Sequence, residues 1–179
     1  FVLIAGPSSS GKTTFAKRLS IQLRVLGVNP LYLGTDDYFV ERTQTPLGPD
    51  GKPDFEGIAC LDLKLFNQQM EDLLAGKEVD IPEFDFVNGT QVFGKRITRL
   101  KKNQVLVIEG IHSLNDVLTE HIPRSDKFKI YISALTMLNL DDHNRIRTTD
   151  ARLLRRIVRD YQFRGTTPEK TLAMGDSVR

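Results

Sequence analysis

Short apolar runs alternate along this chain with longer stretches of helical spacing, the pattern of an α/β protein with a parallel sheet. Phe1-Val2-Leu3-Ile4-Ala5 is a buried strand ended by Gly6-Pro7. Lys12 to Leu26 then carries Phe15, Leu19, Leu23 and Leu26 at helical spacing, and Gly27 stops the helix. Leu31-Tyr32-Leu33 is a second strand, which completes a β-α-β unit with a right-handed crossover. Glu41 to Asp62 is rich in Pro, Gly and Asp and reads as a surface loop. A helix from Leu61 to about Ala75 is expected next, with Leu65, Met70, Leu73 and Leu74 among its buried residues. Glu83–Val87 and Thr90–Phe93 flank Asn88-Gly89, which predicts a β-hairpin. Val105–Ile108 and Phe128–Ile132 are further sheet strands, the first ending in Glu109-Gly110. No internal repeat and no domain linker is visible.

Size and composition narrow this picture without changing it. A chain of 179 residues holds one domain with a full core. No apolar run approaches the roughly 20 residues that span a bilayer, so no membrane partner is expected. A net charge of +2 argues against nucleic acid. The single cysteine, Cys60, cannot form an internal disulfide, which fits a cytoplasmic location. The chain opens without Met and closes soon after a basic helix, so residues 1–179 are expected to be one domain cut from a longer protein with further domains. A homo-oligomer is compatible with all of this.

The chemistry begins at Gly6-Pro7-Ser8-Ser9-Ser10-Gly11-Lys12-Thr13, which matches G-x-x-x-x-G-K-[ST] at every fixed position. Its glycines let the backbone wrap an anion with N–H groups turned inward, and the helix that follows adds its positive dipole end. Strand before and helix after supply the context this motif requires. Gly6, Ser8, Ser9, Ser10, Gly11, Lys12, Thr13 and Thr14 are therefore the expected nucleotide-binding residues, with Lys12 reaching the β- and γ-phosphates and Thr13 ligating Mg²⁺. ATP and Mg²⁺ are the expected cofactors, although nothing legible separates ATP from GTP.

Two carboxylates sit where such a fold gathers its ligands. Glu109 ends a strand, the place for the acid that serves Mg²⁺. Asp36 ends the second strand and should face the same crevice, where it could accept a hydroxyl proton and touch the metal's waters. Asp37 is the alternative base, and turn capping is the plain alternative for both.

Further along, seven arginines fall between Arg145 and Arg164 against the acids Asp150 and Asp160. In the helix near Asp150–Phe163, Leu153, Leu154, Ile157, Val158 and Tyr161 share one face, and Arg152, Arg155, Arg156 and Arg159 share the opposite one. A solvated basic stripe is one reading; an arginine lid that neutralises charge during phosphoryl transfer is the other. Gly165 would serve such a lid as a hinge.

Together these motifs resemble the uridine kinase and phosphoribulokinase family of P-loop kinases. The likeness rests on the P-loop, Thr35-Asp36-Asp37-Tyr38-Phe39, Ile81-Pro82-Glu83-Phe84-Asp85-Phe86, Ile108-Glu109-Gly110-Ile111, Asp150-Ala151-Arg152-Leu153-Leu154-Arg155-Arg156, Arg159-Asp160 and Arg164-Gly165. It implies a three-layer P-loop NTPase fold with a mostly parallel central sheet, a β-hairpin insertion on the acceptor side and an arginine-rich lid helix. It also implies transfer of the ATP γ-phosphoryl group to a small-molecule hydroxyl, a uridine- or cytidine-like nucleoside first. Asp36, Lys12, Arg152 and Arg155 would be catalytic, with Arg156, Arg159 and Arg164 completing the lid on the nucleotide. Asp36, Tyr38, Glu56, Phe84 and Arg152 would meet the acceptor, and Thr13, Glu109 and Asp36 the metal.

The acceptor side departs from the uridine kinase pattern. Asp54-Phe55-Glu56 stands where those enzymes resemble one another in Asn-Phe-Asp, so Glu56 takes the place of the ribose-holding acid. Phe84-Asp85-Phe86 replaces a Tyr-Asp-Phe segment, and the following histidine position falls on about Gly89. Losing a hydroxyl and an imidazole can shift specificity by orders of magnitude. Periodicity leaves Phe84 and Phe86 open between core packing and pocket lining. His112, His121 and His143 lack metal-ligand spacing, and His112 is expected to be structural. A switch or motor NTPase is the competing class, weakened because the acidic strand ends Ile-Glu-Gly; a silent ATP-binding module is the third.

Overall fold

Leu3 and Ile4 are neighbours on the first strand and both are fully buried, yet they belong to different hydrophobic clusters. Successive side chains of a strand point to opposite faces, so this strand is covered on both sides. The chain is described here by a computed structural model covering residues 1–49, 51–120, 122–133 and 139–174. His121 lies outside the described residues. In chain order the elements are β1 (Val2–Ala5), α1 (Lys12–Val25), β2 (Asn29–Gly34), α2 (Leu63–Leu74), β3 (Glu78–Asp80) and β4 (Glu83–Asp85). They continue with β5 (Thr90–Val92), β6 (Ile97–Arg99), β7 (Gln104–Glu109), β8 (Phe128–Tyr131), α3 (Thr148–Phe163) and α4 (Pro168–Ala173).

The central sheet runs β2-β7-β1-β8, parallel throughout. On one face Ile4 and Val107 pack on Ala16 of α1, with Leu19 and Leu23 beside them. On the other, Leu3, Leu33, Leu106 and Ile108 meet Phe66, Met70 and Leu73 of α2. The result is the three-layer α/β arrangement expected. Among the described residues no helix is long and apolar enough to cross a membrane.

Several local expectations shift. Helix α2 begins at Leu63 because Asp62 caps it, its side chain accepting from the Leu65 N–H at 2.9 Å. Phe15, Leu26 and Leu74 lie exposed rather than buried, so both helices offer the sheet a narrower face than their apolar residues suggest. The hairpin forms, but its strands stop at Asp85 and start again at Thr90. The Asp85 carboxylate accepts from the Val87 and Asn88 N–H groups, which bends the chain early and leaves four residues, not two, in the loop. The β3–β6 pair and helix α4 were not anticipated: three-residue strands carry little periodicity, and α4 is announced only by Thr167 at its cap and Pro168 after it.

Helix α3 decides between the two readings of its arginine face. Its apolar stripe faces outward, with Leu154 60% and Tyr161 67% exposed, while Arg152, Arg156 and Asp160 are buried. Buried charge survives only when paired, so the partners of those arginines decide what the helix does.

Candidate active site

The P-loop leaves β1 at Gly6, where any side chain would collide: a Cβ there would stand 2.5 Å from the Ile132 carbonyl oxygen. Ser9 and Gly11 adopt positive φ, at 59° and 99°, so the loop closes into a left-handed turn before α1. Lys12 is only 8% exposed and its Nζ donates to the Pro7 carbonyl at 3.1 Å. The hydroxyls of Ser9 and Ser10 are buried with no hydrogen-bond partner. An anion in the cradle would supply those missing partners.

Strand register brings the acid to the loop. Glu109, the last residue of β7, pairs with Ile4 on one side and Gly34 on the other. Its Oε2 accepts from Thr13 Oγ1 at 3.1 Å and from the Tyr32 hydroxyl at 3.0 Å. Gly34 has no side chain, so the Tyr32 ring, two residues back on the same face, reaches across to Glu109. Burial, reinforced by the Asp36 charge, holds Glu109 above the usual carboxylate range against the pull of Lys12. Burial also lowers Lys12, while Glu109 and Asp36 oppose that shift. The following turn is tightly built. A Cβ on Gly110 would fall on the Thr35 hydroxyl, and the Gly110 N–H is fixed to the Ile4 carbonyl at 3.1 Å. Gly110→Ala is expected to cost about 1–3 kcal/mol, read as a lower thermal midpoint. Unchanged melting would mean that Thr35 yields freely and that the turn does not fix Glu109.

Asp36 and Asp37, adjacent in a 3-10 turn after β2, part company. Asp36 lines the cavity and is paired with Arg164 Nη2 at 3.4 Å. Asp37 turns away to Arg96 Nη1 at 2.5 Å and to the Phe84 backbone. Burial raises the Asp37 carboxyl although Arg96 pulls the other way. Tyr38 must be corrected: it is 0% exposed, edge-on to Phe66, and its hydroxyl donates to Gln69 at 2.8 Å. A tyrosine so enclosed belongs to the core and cannot touch an acceptor.

One cavity of about 710 Å³ joins these parts, running from the P-loop to the hairpin. Ser8, Ser9, Gly11, Lys12, Thr13, Thr14 and Glu109 form one end; Asp36, Glu56, Phe84, Phe86 and Phe39 form the other. Of the two roles left open for Phe84 and Phe86, the structure shows cavity lining: both are half-buried and stack edge-on against Phe39, 5.6 and 6.2 Å between ring centres. Glu56 is presented by a turn in which Asp54 accepts from the Glu56 and Gly57 N–H groups. His112 stands behind, its Nε2 2.8 Å from the Glu56 carbonyl, a structural brace as expected. A carbonyl only accepts, so Nε2 carries the proton in that bond.

From α3, Arg155, Arg156 and Arg159 line the cavity, and Arg164 joins them just beyond the helix. Arg156 lies 3.5 Å from Glu56, and Arg164 lies flat on Phe86 at 4.0 Å. Arg152 differs: its Nε donates to the Ser8 carbonyl at 3.0 Å, so it braces the P-loop from outside the cavity lining. Tyr32, Phe39, Arg42 and Arg96 were not singled out from sequence. Only Tyr32 left a signal there, as a polar-tipped residue two places before the strand-ending glycine.

Comparison with known proteins agrees with this geometry. The family model for the phosphoribulokinase/uridine kinase family matches residues 1–177. A uridine kinase of Deinococcus deserti is 28% identical over 169 residues, covering 94% of this chain and 72% of that protein. A uridine kinase of Mycoplasma genitalium is 30% identical over 161 residues, covering 90% and 67%. Among solved structures, the "Possible Uridine Kinase" of Bacillus stearothermophilus superposes with a TM-score of 0.58 at 26% identity, covering 73% of this chain and 68% of that one. With a P-loop, a strand-end acid and a second carboxylate on one cavity, the chain belongs to the phosphoribulokinase/uridine kinase family of small-molecule kinases.

Proposed function

We propose that this chain transfers the γ-phosphoryl group of ATP to a hydroxyl of a small molecule, with a uridine- or cytidine-like nucleoside as the first candidate. The observation that carries the reading is that Asp36, the P-loop with Lys12, and the α3 arginines Arg155, Arg156 and Arg159 all open onto the same cavity. Phosphoryl transfer needs little covalent help from a protein, only positioning and neutralisation of spreading negative charge. Lys12 and Arg155, Arg156 and Arg159 supply the charge; Asp36 takes the proton as the acceptor oxygen attacks in line. Asp36 is preferred to Asp37 because Asp37 is paired with Arg96 and does not line the cavity. Glu56 holds the acceptor's hydroxyls, and Phe84 packs against its body.

Thr13 and Glu109 would hold a Mg²⁺ ion, with Asp36, whose charge already bears on Glu109, as a third candidate. When bound, such an ion neutralises charge on the terminal phosphates. Among the described residues no three or more His, Cys, Asp or Glu cage a metal by themselves. Mg²⁺ needs no such cage, since it keeps waters and takes oxygens from phosphate.

The test is to incubate the chain with ATP-Mg²⁺ and a panel of nucleosides, ribulose 5-phosphate, pantothenate and other small alcohols, following ADP release and product mass together. A phosphorylated uridine or cytidine is the expected product. A different phosphorylated acceptor keeps the kinase reading and replaces the nucleoside. ADP release driven by a macromolecule, without a phosphorylated small product, would favour the switch NTPase instead.

A further inference from the structure

The charges along α3 converge on one residue that no step above uses. Asp160 is 4% exposed, and three guanidinium groups meet its carboxylate. Arg159 approaches Oδ1 at 2.7 Å, Arg156 approaches Oδ2 at 3.4 Å, and Arg164 lies 3.7 Å from Oδ1. The same residue's carbonyl accepts from the Arg164 and Thr166 N–H groups, both at 3.1 Å, which fixes the chain as it leaves the helix. Each of the three arginines also reaches beyond Asp160. Arg156 extends to Glu56 at 3.5 Å, Arg164 to Asp36 at 3.4 Å, and Arg159 lines the cavity. Burial and the neighbouring Arg159 charge depress Arg164, with Asp36 and Asp160 opposing.

We propose that Asp160 is a positioning residue that holds Arg156, Arg159 and Arg164 in place and offsets their charge until a nucleotide triphosphate takes them over. The inference rests on the nucleotide reading of the same cavity. Around this point the three arginines face three carboxylates, Asp36, Glu56 and Asp160, so these six groups balance one another in charge. Arg156 Nη1 and Arg159 Nη2 nonetheless lie buried without an aligned hydrogen bond. They have ion-pair neighbours but donors to spare, the state expected of groups that exchange one anion for another. Asp160 thus sets the threshold at which the arginines transfer to phosphate, and a triphosphate, richer in charge than a diphosphate, crosses it more readily.

Titrations of Mg-ADP and of a non-hydrolysable Mg-ATP analogue into the 179-residue chain test this, with thermal melting recorded for every variant. Asp160→Asn is expected to bind the triphosphate analogue about tenfold more tightly, the scale of one charge acting across several ångströms of protein, and ADP by clearly less. A residue that merely supports the fold would instead weaken both nucleotides together. Because a buried cation left unpaired destabilises a fold, the double variant Asp160→Asn/Arg156→Gln is measured alongside Arg156→Gln. It removes one charge of each sign and keeps that balance. The single arginine variant should weaken the analogue and the double should restore it to within about threefold of the wild type, the non-additivity of interacting sites. Equal weakening in both, or an Asp160→Asn protein that melts normally and binds no tighter, overturns the proposal. A wild-type chain that binds neither nucleotide overturns the nucleotide reading and this inference with it. Wild-type binding without transfer to any acceptor bears on the kinase reading alone.

Discussion

Asp36→Asn is expected to lower phosphoryl transfer by about 10²–10⁴-fold, the usual contribution of a positioned general base, while nucleotide affinity stays within about threefold. Asparagine keeps the shape and one oxygen for Arg164, which lies 3.4 Å away, so the turn should survive. What it loses is the ability to take the acceptor's proton. The proposed nucleotide contacts lie in residues 6–14 and on α3; losing a negative charge near the phosphates and losing a candidate Mg²⁺ ligand act in opposite directions, so the net change in affinity should be small. Single-turnover transfer and ADP titration on the same preparation separate the two effects. Full turnover by the variant with the true acceptor would remove Asp36 from the base role.

Lys12→Met is expected to cost about 10²–10³-fold in transfer, the scale of losing one preorganised group from developing charge, and to weaken the triphosphate as well. The variant carries a second, opposite expectation. Lys12 is buried and burial lowers its proton affinity, so the free protein holds that charge at a cost. Methionine has a similar length and no charge, so the nucleotide-free variant should melt no lower than the wild type. Stability retained while function falls is the mark of a residue kept for chemistry. A variant that melts far lower would show instead that the Nζ bond to Pro7 holds the loop together.

Much of this was legible before any coordinates. The P-loop reads directly because its glycine and lysine positions are demanded by backbone geometry at a phosphate. Glu109 follows because parallel strands deliver their last residues to one edge, and Asp36 because the turn just past β2 opens at that same edge. The arginine helix was legible in content but not in orientation. Periodicity reports which residues share a face; it does not report which face is buried. There the buried side is the charged one, because Asp160, Glu56, Asp36 and the Ser8 carbonyl all wait opposite the guanidinium groups. Functional sites are where local rules are expected to fail. Tyr38 failed in the other direction. The family resemblance implied an acceptor contact there, but Gln69, far away in sequence, satisfies that hydroxyl inside the core. No local pattern announces such a partner. The same holds for Arg96, whose pairing with Asp37 spans 59 positions and decides which of two adjacent carboxylates faces the cavity.

Among the described residues the hairpin β4–β5 shares no ladder with the central sheet; it is tied in through Phe39, Arg42 and the Asp37 turn instead. Its short strands carry Phe84 to the cavity, while β1, β2 and β7 hold the P-loop and Glu109 in fixed register. Substitutions in residues 83–92 therefore leave the register of β1, β2 and β7 alone, but can reach Asp36 through neighbouring Asp37 and through Arg164, which sits over Phe86 and pairs with Asp36. Drift in this one small flap would reshape its end of the cavity first, while the strands that flank the P-loop and carry Glu109 keep their register.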